Sequence, residues 1–136
     1  MKTYKLHTNS KKLLADTFTP VSVYLKIRDK FPNSLLLESS DYHANDNSFS
    51  FICFNPIANF SVENNIITKQ YPDDSIEKIE VINKNVVEEL SQFSKQFKTE
   101  SETFKFINNG LFGYISYDAI QYFEKINIKE KAPENE

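Results

Sequence analysis

The sequence predicts an α+β fold, a mostly antiparallel β-sheet layer with flanking helices. Three observations carry this. Two segments show helical spacing of apolar residues, and one of them opens on a Thr-Pro pair. Several strand-length segments lie between those helices, some continuous and apolar, some alternating. The breaks between strands are short and rich in asparagine, which suits tight reversals between antiparallel neighbours.

The elements follow in order. Thr19 is placed to cap a helix whose first residue is Pro20. Val21, Tyr24, Leu25 and Phe31 recur near helical spacing, with Lys26, Arg28, Asp29 and Lys30 on other faces, and Pro32 should stop the run. Residues 34–39 contain Leu35-Leu36-Leu37, which fits a strand covered on both faces. Residues 48–54 alternate, with Phe49, Phe51 and Cys53 on one side and Ser50, Ile52 and Phe54 on the other. Asn55-Pro56 marks a turn. Strands at 57–62 and 66–71 flank Glu63-Asn64-Asn65, a hairpin signal because Asn tolerates positive φ. A second helix is expected over 85–97, with Val86, Val87, Leu90, Phe93 and Phe97 as its apolar stripe. A last strand is expected over 111–117. A helix should then begin at Asp118, whose spacing to Gln121 resembles a capping box.

A chain of 136 residues suits one domain, here 1–124. Residues 125–136 are charged, carry Pro133 and hold little apolar content, so they read as a mobile tail or a truncation boundary. Hydrophobic residues make up 40% and charged residues 26%, a soluble composition. Net charge is −3 and the lysines are interleaved with acids, so no basic stripe for nucleic acid exists. No apolar run approaches membrane-spanning length, and no signal peptide is visible. The single cysteine, Cys53, allows no internal disulfide. A cytoplasmic protein is expected.

Catalytic motifs are nearly silent. The two glycines, Gly110 and Gly113, exclude a Walker loop and a dinucleotide fingerprint. His7 and His43 give no metal-ligand spacing. Cys53 lies in an apolar alternating strand, where a buried inert thiol is the simpler reading than a nucleophile.

Glu38-Ser39 stands out because a carboxylate follows three leucines directly. A charge at the edge of a buried strand costs free energy unless paired. Either the strand ends there and Glu38 faces water, or Glu38 receives a ligand cation such as an amino acid's ammonium, with the Ser39 hydroxyl as a second contact. Ser50, between Phe49 and Phe51, either faces solvent or shares that pocket, if the two strands are neighbours. The aromatic strand from Gly110 to Asp118 holds both glycines. That implies a bulge or a close backbone approach, and ligand contact is the other reading.

Four stretches together carry a resemblance. Asp16-Thr17-Phe18-Thr19-Pro20-Val21, Leu36-Leu37-Glu38-Ser39, Ser48-Phe49-Ser50-Phe51-Ile52 leading to Asn55-Pro56, and Gly110 through Asp118 occur in the order seen at the start of anthranilate synthase component I. The chain resembles the N-terminal region of that large subunit up to about Phe123. The resemblance implies a partial piece of the large β-sandwich fold of chorismate-utilising enzymes. It implies an intact lyase of tryptophan biosynthesis that converts chorismate and glutamine-derived ammonia to anthranilate and pyruvate. The intact enzyme would use Mg²⁺ and a glutamine amidotransferase subunit (component II). It would be feedback-inhibited by L-tryptophan bound against the Leu-Leu-Glu-Ser strand. By the same resemblance Ser39 is the first candidate for tryptophan contact, followed by Glu38, Phe49 and Ser50. Phe49 stands where some members have lysine, Ser48 where arginine is common, and Asn109 where glycine is common.

The family's chorismate and Mg²⁺ residues lie in a carboxy-terminal part not present here. This stretch is therefore expected to be inactive alone, to hold no catalytic residue, metal or cofactor, and to bind tryptophan weakly or not at all. The N-terminal part of aminodeoxychorismate synthase component I is the alternative within the same superfamily. A stand-alone amino-acid-binding module is the alternative outside it.

Overall fold

Two adjacent asparagines set the geometry of the chain's three-stranded sheet. In the computed structural model, which describes residues 2–38, 49–82, 85–99 and 109–124, Asn64 and Asn65 both take positive φ, 50° and 58°. That is the two-residue turn whose twist matches that of paired strands. It joins β4 (Asn59–Glu63) to β5 (Ile66–Gln70) in antiparallel register, from Glu63 opposite Ile66 to Asn59 opposite Gln70. β6 (Ile76–Glu80) pairs antiparallel on the other side of β5. The remaining elements are β1 (Tyr4–Leu6), α1 (Pro20–Ile27), β2 (Leu35–Glu38), β3 (Ser50–Cys53), α2 (Val86–Lys95), β7 (Phe97–Thr99) and a 3₁₀ helix, Tyr117–Tyr122. Instead of one sheet layer there are three small sheets among the described residues: β1-β7, β2-β3 and β4-β5-β6.

The chain divides into two compact units. The first takes Met1–Leu6, Ala58–Lys98 and Tyr114–Glu136. Its core is aromatic and centred on Phe93 of α2, which is fully buried. The Phe93 ring lies 5.6 Å from Phe60, 5.5 Å from Tyr71 and 5.2 Å from Phe97, while Tyr4 stacks on Tyr71 at 5.7 Å. Offset or edge contacts of this kind add to the area term. Ile67, Lys69 and Tyr71 occupy alternate positions of β5 and its end, and all three are buried.

Lys69 is a charge in an apolar row. Its Nζ reaches Glu89 of α2 at 2.6 Å and Glu77 of β6, its cross-strand neighbour, at 3.4 Å. Burial by itself would lower its pKa, but the Glu89 hydrogen bond and the two carboxylate charges outweigh that and raise it. Tyr71 donates to Glu77 at 2.9 Å and accepts from Gln96 at 3.4 Å, so the buried polar groups are satisfied.

The second unit takes His7–Ile57 and Thr99–Gly113. Helix α1 starts as expected. The Ser22 amide donates to Thr19 Oγ1 at 3.1 Å and the Thr19 amide donates to Ser22 Oγ at 3.2 Å, a reciprocal cap. The helix ends at Ile27, before Pro32, and the Lys30 and Phe31 amides close one last turn on the Ile27 carbonyl. Asn33 then takes φ of 64° to enter β2.

Several expectations are corrected. Phe97 belongs to β7 and not to the second helix, and Val87 is exposed instead of joining its stripe. Leu35, Leu36 and Leu37 are half-buried, so β2 is not covered on both faces. No strand forms over 111–117. Nothing among the described residues pairs with that segment, and an unpaired backbone has no ladder to stabilise it. The helical turn after it is 3₁₀, begins at Tyr117, and lacks a side-chain cap from Ser116. Gly113 has no bulge or close neighbour: a Cβ there would meet nothing within 4 Å. β1, β6 and β7 go unforeseen by the sequence reading. The tail at 125–136 lies outside the described residues.

A candidate amino-acid site on the β2–β3 ribbon

The site is built on the antiparallel pair β2–β3. Leu35 faces Cys53, Leu36 faces Ile52, Leu37 faces Phe51, and Glu38 faces Ser50. Directly opposed residues of an antiparallel pair project to the same side, with Cβ atoms roughly 4.5–5.5 Å apart. The register therefore brings two of the four candidates together, the Glu38 carboxylate and the Ser50 hydroxyl, both exposed. Two positions along each strand, Leu36 and Ile52 share that side and form its apolar floor. Sequence reasoning did not single out these two residues. Alternation puts Ile52 on the side of Ser50, and the register adds Leu36 opposite Ile52.

Phe49 goes elsewhere. Its ring lies 6.5 Å from Phe51, which places it by alternation on the side opposite Ser50. Phe51 in turn meets Phe112 at 5.5 Å, so the aromatic face of the ribbon is backed by the segment that follows Gly110. Asn109 just ahead of it donates to Thr8 Oγ1 at 2.8 Å. Ser39 falls outside the described residues.

At the other end of the ribbon Asn33 and Asn55 each take positive φ, where the chain enters β2 and leaves β3. Tyr24 of α1 donates to the Ser34 carbonyl at 3.3 Å, and Phe31 packs on Phe54 at 4.9 Å. These contacts fix the helix against the end of the ribbon away from Glu38. Cys53 is half-buried, and burial pushes its thiol pKa up, which disfavours the reactive thiolate.

Chemically the rung offers an anion and a hydroxyl on an apolar floor. A carboxylate accepts hydrogen bonds from an ammonium, a hydroxyl can donate to a carboxylate, and the floor can take an apolar side chain. Among the described residues no three His, Cys, Asp or Glu side chains gather as around a metal ion. No helix among those residues is long and apolar enough to cross a membrane.

No family model matches the chain, and no solved structure matches it significantly. Among curated proteins it is 30% identical over 122 residues to anthranilate synthase component 1 of Lactococcus lactis, covering 89% of this chain and 25% of that protein. To the protein of that name from Methanothermobacter marburgensis it is 32% identical over 111 residues, 82% of this chain and 23% of the other. To that of Aquifex aeolicus it is 27% identical over 122 residues, 89% of this chain and 24% of the other. The chain thus spans about a quarter of the length of the curated relatives it matches. By sequence, over most of its length, the chain is a relative of anthranilate synthase component 1.

Proposed function

We propose that this chain is the N-terminal, L-tryptophan-sensing part of an anthranilate synthase component 1. The observation that carries the reading is the Glu38–Ser50 rung over Leu36 and Ile52, in a chain similar to those synthases. Glu38 receives the ligand's ammonium and Ser50 its carboxylate, with Ser39 next along the chain from Glu38. The indole lies along the apolar floor, and Phe49 acts from the opposite face by holding Phe51 and the strand. The intact enzyme joins chorismate and ammonia to give anthranilate and pyruvate, with Mg²⁺ and a glutamine amidotransferase subunit. Those functions belong to the three quarters of the relatives' length that this chain does not span. The chain has no tryptophan of its own, so the fluorescence of added tryptophan can be followed directly.

The test is feedback inhibition of a full-length enzyme carrying this chain as its first quarter. Glu38→Gln should raise the tryptophan concentration for half-inhibition by about tenfold, the loss expected for one charge-assisted hydrogen bond. Anthranilate formation without tryptophan should be unchanged. Unchanged inhibition in both Glu38→Gln and Ser50→Ala would remove the sensing role. The isolated 136-residue chain should bind tryptophan weakly or not at all.

A further inference from the structure

Asn109-Gly110 is a reactive pair that the chemistry of the ribbon leaves unused. The side-chain carbonyl carbon of an asparagine can close a five-membered ring with the backbone nitrogen of the next residue. A side chain on that next residue crowds the approach, and glycine has none. Asn109 is the one asparagine of this chain followed by glycine; each of the others precedes a residue with a side chain. Asn109 and Gly110 form a bend outside any helix or strand, so regular backbone bonding does not fix the torsions that ring closure must change. Gly110 is exposed, which admits water and base. One feature opposes the reaction. The Asn109 side chain is half-buried, and its Nδ2 donates to Thr8 Oγ1 at 2.8 Å, across 101 positions of sequence. The amide held by Thr8 is the group that must swing toward Gly110 and then leave.

We propose that Asn109-Gly110 is a modification site, at which the chain deamidates through a succinimide at a rate governed by the hydrogen bond to Thr8. The Gly110 nitrogen, its proton taken by hydroxide, attacks Cγ of Asn109. The new bond closes the ring, the bond from Cγ to Nδ2 breaks, and Nδ2 takes a proton from water and leaves as ammonia. A second water opens the ring at either carbonyl, giving aspartate or isoaspartate. The net change is one water consumed and one ammonia released. Reaction proceeds from the state in which the Thr8 bond has opened. Both products replace a donor with a carboxylate that only accepts, so Thr8 must turn its own proton toward it. Isoaspartate also routes the main chain through the former side chain and lengthens it by one carbon. Three residues on, Phe112 packs on Phe51 at 5.5 Å, the contact that backs the strand carrying Ser50.

The 136-residue chain is aged at mildly alkaline pH beside a peptide of residues 105–114. Fragmentation by mass spectrometry, oxygen uptake from heavy-oxygen water and methyl uptake by an isoaspartate methyltransferase locate the product at position 109. Conversion should be slower in the folded chain than in the peptide. Thr8→Val keeps the shape and removes the acceptor, and should speed conversion of the folded chain by roughly threefold to tenfold, as expected for loss of one hydrogen bond. Thr8→Ser keeps the acceptor and should keep the parent rate, and Gly110→Ala should slow conversion in chain and peptide alike. A folded chain that leaves Asn109 intact over roughly ten half-lives of the peptide overturns the site. Equal rates in Thr8→Val and the parent overturn the control by Thr8. Circular dichroism reports whether Thr8→Val is folded; if it is not, the parent decides, and a parent rate equal to that of the peptide overturns the same control. Purified by its added negative charge, the aged chain should exchange its β3 amides faster than the parent, and unchanged exchange removes the link to the ribbon.

Discussion

The two units of this chain solve the problem of burial differently. One wraps a three-stranded sheet and α2 around Phe93, and places every buried residue among the described ones there, including a lysine with two carboxylate partners. The other sets a four-residue strand pair against a capped helix and leaves all of its described apolar residues at least partly open. The lesson is a division of labour: stability is concentrated away from the residues proposed to meet ligand. Segments of low local stability are those from which binding elements are drawn. The strand pair is held by cross-strand contacts and a helix cap, each worth on the order of 1 kcal/mol, where the aromatic core is worth several times that.

The comparison can be broken at its strong end first. Phe93→Ala should cost about 3–5 kcal/mol, since a fully buried ring leaves a cavity among Phe60, Tyr71 and Phe97. Chemical denaturation read by far-ultraviolet circular dichroism measures it. A cost below about 1 kcal/mol would mean that the aromatic cluster is not a core. Lys69→Ala comes next, at roughly 2–3 kcal/mol, because Glu89 and Glu77 lose their counter-charge. A methionine at that position should recover part of the loss.

The sign of the pH effect follows from the raised pKa of Lys69. Its contribution is complete below the unfolded value of 10.5 and fades as pH climbs through the higher folded value. Tyr71, raised by burial, titrates in the same sense. The thermal midpoint should therefore fall above about pH 10.5, and the fall should be shallower in Lys69→Met. An unchanged slope in that variant would deny Lys69 its role. Asn64→Ala should cost about 1–2 kcal/mol, because alanine resists the positive φ of the hairpin turn. The smallest effect belongs to the weak unit. Thr19→Ala removes one cap and should cost about 1 kcal/mol, seen as faster hydrogen exchange of the first turn of α1. If α1 amides already exchange more slowly than those of β5, the contrast drawn between the units is reversed.

Local signals were legible and non-local ones were not. Thr19-Pro20 specifies a helix start by its own chemistry, and Asn64-Asn65 specifies a turn, so both could be read without knowing what lay around them. β6 could not. Its sequence, Ile-Glu-Lys-Ile-Glu, does not alternate, and it is an edge strand in which only Ile79 is half-buried. Lys69 sits where alternation calls for an apolar residue, and only the arrival of Glu89 from α2 explains it. Residues 111–117 have strand propensity but find no partner among the described residues, and propensity without pairing does not make a strand. In the site, the positions of Glu38 and Ser50 were readable as oddities in apolar surroundings. Alternation already set Phe49 behind Ser50, but that Glu38 and Ser50 share a rung required the register.

Asn33, Asn55, Asn64, Asn65 and Asp74 are the positive-φ residues among those described, and no glycine is among them. In a chain with two glycines, the left-handed backbone has been handed to asparagine and aspartate, the next best tolerated side chains. Their conformation therefore makes these five positions intolerant of drift. Most substitutions there would strain the backbone, β-branched residues most of all, while glycine, asparagine and aspartate would pass. A deep mutational scan should find them among the most restricted positions in loops, although all five are exposed.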